Sequence, residues 1–136
     1  MSEQQDFWQG TFGDEYISRN ESLDLRVSNT IMFSKIFSDT GIKPRKVLEI
    51  GANIGMNIDA LRNIVPGSRF SAVEINSKAV DLLKRKQVEV IHGAIENVVL
   101  EEKYDLVFTK GVLIHIRPEA LPTVYEKIFD SASEWV

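Results

Sequence analysis

The sequence predicts an α/β chain built on a doubly wound parallel sheet, and three observations carry that expectation. Short apolar runs alternate with segments of helical periodicity. The first run, Val47-Leu48-Glu49-Ile50, ends in a glycine turn, Gly51-Ala52-Asn53-Ile54-Gly55, that opens a helix. The next run, Arg69 to Val73, ends in an acid, Glu74, 19 residues beyond Gly55. Four strands separated by crossovers leave few other solutions, because right-handed connections cover both faces of a parallel sheet.

Taken in order, residues 1–20 carry Phe7, Trp8, Phe12 and Tyr16 among polar residues, which reads as a lid or cap packed by aromatics. Residues 21–40 read as a helix. Leu23, Val27, Ile31, Phe33, Ile36 and Phe37 recur at helical spacing, and that pattern predicts one apolar face. Gly41 and Pro44 end it. The first strand is expected at about 46–50, a helix at about 54–64, and Pro66-Gly67 turns the chain into the second strand. Asn76-Ser77 caps a helix through about Lys86. A third strand spans Val88–His92 and leads to Gly93, and a fourth spans Tyr104–Thr109. Pro118 and Pro122 sit near the start of a last helix to about Ala132, with Val124, Ile128 and Phe129 on its buried face. The organisation is a cap over 1–40 and a nucleoside-binding domain over 41–136.

Composition bounds the function. At 136 residues with 43% hydrophobic content, the chain is one domain with a core. Sixteen basic residues dispersed among twenty acids leave a net charge of −4 and no basic run, so no nucleic-acid footprint is evident. The absence of cysteine excludes disulfides and thiol nucleophiles and fits a reducing, cytoplasmic setting. No apolar stretch approaches a membrane span, and the polar N-terminus does not read as a signal peptide. The two histidines, His92 and His115, are separated and without a ligand cluster, so no metal site is expected.

The glycine turn discriminates between ligands. A dinucleotide fingerprint needs glycine at its first, third and sixth positions, where the backbone approaches a pyrophosphate. Here the third is Asn53 and the sixth is Met56. No Gly-Lys-Ser/Thr follows to make a phosphate loop. Glu49, near the strand's carboxyl end, favours a cationic ligand over a phosphate. Glu74 stands where a strand-end acid would bind both hydroxyls of a ribose.

Glu-x-Gly-x-x-x-Gly resembles motif I of class I S-adenosylmethionine-dependent methyltransferases, whose cofactor bears an ammonium and a sulfonium and no phosphate. With Trp8–Asn20 and Phe108–Ile116, the chain resembles more closely the methyltransferases associated with pseudaminic acid biosynthesis. The resemblance implies a Rossmann-like fold and a small-molecule methyl acceptor, a sugar or nucleotide-sugar. It also implies S-adenosylmethionine contacts from Glu49, Gly51, Ala52, Asn53, Gly55, Glu74 and Ile75. After the third strand, Gly93, Ala94 and Ile95 match the turn that borders the adenine, with Glu96 a weaker candidate. Thr109, Lys110, Gly111 and Val112 match the segment beneath the methionine moiety. Tyr16 is a candidate to lie against the sulfonium, and Arg19 to hold the methionine carboxylate. His115, beyond the fourth strand, is the candidate general base if the acceptor must lose a proton.

The fold so resembled has seven strands, whereas this chain ends about where a fifth would begin. The expectation is therefore a truncated domain of four strands whose fourth is an exposed edge, open to homodimer pairing. Two other readings remain at this level: a non-catalytic cofactor-binding or interaction half-domain, and a nicotinamide-dependent oxidoreductase, which Asn53 and Met56 disfavour.

Overall fold

The computed structural model describes residues 1–19 and 21–136; Asn20, the end of the quoted N-terminal block, lies outside them. The chain runs α1 (Glu3–Gln9), α2 (Thr11–Arg19), α3 (Leu23–Thr40), β1 (Lys46–Ile50), α4 (Met56–Ile64), β2 (Arg69–Glu74) and α5 (Ser77–Arg85). It continues through β3 (Glu89–His92), β4 (Tyr104–Thr109), a 3-10 turn (Leu113–His115), α6 (Leu121–Ser131) and β5 (Ala132–Trp135). The strands form one parallel sheet in the order β3-β2-β1-β4-β5. From β1 the chain winds one way to β2 and β3 and then returns to the other side for β4 and β5. The switch point is thus at the carboxyl end of β1, where such sheets open a crevice.

The centre of the sheet is the core. Val47 and Leu48 are inaccessible to solvent and Ile50 nearly so, as a strand covered on both faces requires. One apolar cluster joins Val47, Phe70 and Ala72 to Ile58 and Leu61 of α4 and to Phe33 and Phe37 of α3. The other joins Leu48, Ile50, Val73 and Val107 to Val124 and Ile128 of α6. Each fully buried aliphatic side chain contributes about 1.5–3 kcal/mol, so these two layers hold the strand ends in register.

Two expectations are corrected. The buried stripe of α3 is Asn29, Phe33 and Phe37, while Leu23, Val27 and Ile31 are 72%, 50% and 66% exposed and Ile36 is also exposed. Positions two apart lie nearly opposite on a helix of 3.6 residues per turn, and the face carrying the two phenylalanines is the one laid on α4. Phe129 of α6 is likewise exposed. The second correction is the strand count. Ala132 to Trp135 leave α6 and pair with β4, Tyr104 opposite Ala132 and Leu106 opposite Trp135, with a register irregularity between. The expected open edge on β4 is therefore covered, and the edge is the short β5, whose Glu134 and irregular pairing make it a poor template for further strands.

The helices α1 and α2 are joined by an aromatic cluster. Trp8 packs edge-on to Phe7, Phe12 and Tyr16, with ring centroids 5.7, 5.4 and 5.2 Å away. The corner between α1 and α2 is tight, since a β-carbon on Gly13 would lie 1.9 Å from the Trp8 carbonyl oxygen. Asn76, the N-cap of α5, donates from Nδ2 to that carbonyl at 3.3 Å and to Asp14 Oδ1 at 3.0 Å. Lys78 Nζ adds an ion pair to Asp14 Oδ2 at 2.5 Å. The ammonium of Lys78 first, and then the Asn76 amide, hold the Asp14 carboxyl below the usual range.

Candidate functional site

A cavity of about 250 Å³ opens over the carboxyl ends of β1, β2 and β4, roofed by α1 and α2. Its sheet-side wall begins with the glycine turn. Gly51 has φ of 71°, and a β-carbon there would meet Val112 Cγ2 at 2.4 Å. Asn53 also takes left-handed backbone, φ 49°, with its side-chain Oδ1 accepting from Ile54 N. Gly55 serves packing rather than ligand approach: its missing β-carbon makes room for Leu83 of α5. Lys86 Nζ ties the turn down from outside, donating to the Ile54 carbonyl at 2.6 Å and to Asp59 Oδ2 at 2.7 Å.

Glu74 closes the second strand at the cavity floor. Its Oε2 accepts from Asn53 N at 2.7 Å, and its Oε1 accepts from Ile75 N and Asn76 N at 2.9 and 2.8 Å. Burial raises its pKa, and the three backbone donors work against that rise. A carboxylate has roughly four lone-pair positions, so one acceptor site remains for a ligand hydroxyl.

Glu49 does not reach the cavity surface. It is fully buried, and Asn57 of α4 stands between it and the opening, donating from Nδ2 to Glu49 Oε1 at 2.5 Å. Glu49 Oε2 and Asn57 Oδ1 are buried without a hydrogen-bond partner among the described residues. Burial pushes the Glu49 carboxyl up to about 8, against the Asn57 hydrogen bond, with Glu74 pushing further up and Lys110 pulling down. The raised Glu49 carboxyl keeps its proton near neutral pH, so the unpartnered acceptor on a cavity-lining residue is Asn57 Oδ1.

The remaining candidates divide cleanly. Ile75, Gly93, Ala94, Ile95, Lys110, Gly111, Tyr16 and His115 line the cavity with Gly51, Asn53 and Glu74, and so does Glu96. Lys110 Nζ donates to Asn29 Oδ1 at 3.1 Å on that wall. His115 lies under the cap with its ring centroid 4.6 Å from that of Trp8. Ala52 is buried beneath the turn, and Thr109 Oγ1 donates to the Ile50 carbonyl to lock β4 on β1, so neither faces the opening. Arg19 points elsewhere: it pairs with Glu15 at 3.7 Å and lies over the Phe12 ring. His92 sits outside, its Nε2 3.1 Å from the Ile75 carbonyl.

Residues outside the expected set also contribute, chiefly Gln5, Asn29, Met56 and Asn57, and Val112 lines the cavity beside Gly111. Asn57 was findable as a polar residue on the first turn of the helix after Gly55. Asn29 was findable as the polar member of a four-residue repeat with Phe33 and Phe37. Gln5 carried no such signal.

Residues 47–133 match the protein family described as "Methyltransferase domain". The chain belongs to that family. No curated protein matches it in sequence. Among solved structures, this methyltransferase domain is similar to the plantazolicin methyltransferase BpumL, in complex with a pentazolic desmethylPZN analog and SAH, at 17% identity and a TM-score of 0.73. That match covers 95% of this chain and 52% of BpumL. A magnesium protoporphyrin IX methyltransferase, ChlM from Synechocystis PCC 6803 with bound SAM, gives 16% identity and a TM-score of 0.73, covering 98% and 74%. A glycopeptide N-methyltransferase, MtfA, gives 14% identity and a TM-score of 0.64 over 77% and 53%. The domain thus spans about half the length of BpumL, and the likeness at these identities is one of fold. Among the described residues no helix is long and apolar enough to cross a membrane, and no group of His, Cys, Asp and Glu is placed to hold a metal.

Proposed function

We propose that this domain binds S-adenosylmethionine and that the protein containing it transfers the methyl group to a small-molecule acceptor. The observation that carries this reading is the cavity at the switch point, where a glycine turn without phosphate-binding features faces a strand-end carboxylate. The donor set fits the group. Glu74 retains an acceptor site for a ribose hydroxyl, and the apolar turn at Ala94 and Ile95 suits a purine face. The unpartnered Asn57 Oδ1, on a residue that lines the cavity, suits an ammonium.

The bound cofactor supplies an electrophilic methyl on sulfur. The chain's own work is positional. Gly51 and Gly111 keep backbone close to the ligand without side chains, and Lys110, rather than Arg19, is the cation on the cavity wall available to a carboxylate. Trp8 and Tyr16 roof the site and exclude water, and Tyr16 is the aromatic we assign to the sulfonium. Orienting a nucleophile for in-line displacement supplies much of the rate. His115, on the rim beneath Trp8, is the group positioned to take a proton from an acceptor hydroxyl. A surface sugar or nucleotide-sugar of pseudaminic acid type is the acceptor class, on the sequence resemblance of Trp8–Asn20 and Phe108–Ile116. We also assign the domain to the cytoplasm, where the cofactor and nucleotide-sugars occur, with neither nucleic acid nor membrane as partner; any self-association would use β5.

Calorimetric titration with S-adenosylhomocysteine, with NAD as control, tests the reading. Saturable binding of the first alone is expected; binding of NAD alone would overturn it.

A further inference from the structure

Lys127 lies outside the cavity, on α6, yet its ammonium converges on one turn of the cavity wall. Nζ donates to the carbonyls of Ile95, Glu96 and Val98 at 2.9, 2.7 and 2.8 Å. That turn is a single helical loop closed by Asn97 N and Val98 N donating to the Ala94 carbonyl at 2.9 and 3.0 Å. Its carbonyls therefore point away without partners of their own, as at any helix C-terminus. One half-buried ammonium satisfies three of them, using all three of its donors. Val98 closes the other side by folding over Gly93, where a β-carbon would meet Val98 Cγ1 at 2.7 Å.

The same turn presents Gly93, Ala94, Ile95 and Glu96 to the cavity. We propose that Lys127 is a positioning residue for the ligand site: its three-carbonyl clamp fixes the 94–98 turn and so sets the fit of the purine end of the ligand. The purine assignment rests on the function proposed above; the clamp itself does not. Lys127 touches no ligand and acts through backbone. Lys127 stands on α6 between Val124 and Ile128, both core residues.

Lys127→Met keeps the stem and removes the donors, while Lys127→Arg keeps the charge. Two readouts separate the clamp from the ligand. In hydrogen exchange on the free chain, the Asn97 and Val98 amides should exchange at least about tenfold faster in Lys127→Met, with β1 and β2 amides unchanged, and Lys127→Arg should restore part of the protection. In calorimetry, S-adenosylhomocysteine and 5′-methylthioadenosine should lose affinity by the same factor, about tenfold, because both share the nucleoside. Unchanged exchange at residues 97 and 98 would overturn the clamp, whether or not any nucleoside binds. Faster exchange with undiminished nucleoside affinity would overturn its role in the site. Failure of the wild-type chain to bind either nucleoside would instead overturn the proposed function, and the exchange result would still decide the clamp.

Discussion

The cavity has two walls made in different ways. On the sheet side, Gly51 to Asn53, Glu74 and the 93–96 turn are placed by hydrogen bonds to backbone and by the strands β1 and β2, whose apolar side chains are buried, with β3 beside them. On the cap side, Gln5, Trp8 and Tyr16 are placed by aromatic edges and by a small polar clasp of Asp14 with Asn76 and Lys78. The first wall is inseparable from folding of the core. The second is an attachment to it, so that changes in the sheet wall should alter stability and binding together, whereas changes in the cap should alter binding alone.

The largest expected effect is on the sheet side, at Glu49. A buried carboxyl whose pKa is raised from 4.5 to about 8 stays protonated in the folded chain over a range in which the unfolded chain ionises it. Its stabilisation is complete below about pH 4.5 and is lost as pH rises toward about 8. Glu49→Gln stays neutral and removes that dependence. By pH 8 the variant should exceed the wild type in unfolding free energy by on the order of a few kcal/mol, with little difference at pH 5. Asp14, Glu102 and Asp105, whose carboxyls are held low, act with opposite sign at lower pH, and Glu74, whose carboxyl burial also raises, is common to both proteins and drops out of the difference. Urea titrations at the two pH values measure it, and parallel curves for the two proteins would show that Glu49 is ionised when folded.

Gly51→Ala follows. It combines left-handed backbone at φ 71° with a contact to Val112, and about 2 kcal/mol or more of stability should be lost along with nucleoside binding. Retained binding at unchanged stability would mean that the sheet wall tolerates rearrangement and is not tied to the core.

The same contrast explains what was legible in the sequence. The run Val47–Ile50, the turn glycines and Glu74 were readable because backbone conformation and two-sided burial restrict residue type at each position. The burial of α3 was not, because it carries apolar residues on both faces. Periodicity could not choose between Leu23-Val27-Ile31 and Asn29-Phe33-Phe37 until α4 was in place. β5 was missed because Ser133 and Glu134 have no strand signature, and only pairing with β4 makes them one. Arg19 was misassigned for the reason that makes the cap separable: a long side chain at the end of α2 found Glu15 and Phe12 as local partners. Lys127 acts through side-chain geometry that no spacing encodes.

On the cap side, Gly13→Ala should open the α1–α2 corner, where the added carbon meets both the Trp8 carbonyl and Asn76 Nδ2. Hydrogen exchange should quicken through α1 and α2 while β1 and β2 remain protected, and S-adenosylhomocysteine affinity should fall about tenfold through loss of the roof. Global unfolding at a lower urea concentration would make the cap part of the core after all.

The smallest effect should come from Lys78→Met. The ammonium pairs with Asp14 at 2.5 Å, but its side chain is 66% exposed, and water and salt screen such pairs. Asn76 keeps its two contacts with the cap in the variant, so the clasp loses its charge and not its register. Affinity for S-adenosylhomocysteine should drop by less than about threefold at low ionic strength. The gap should vanish at about 1 M salt, where the Debye length is about 3 Å. Titrations at two ionic strengths decide the point. A drop beyond tenfold that salt does not abolish would assign the cap's attachment to this one ion pair, and the aromatic cluster would then follow the clasp.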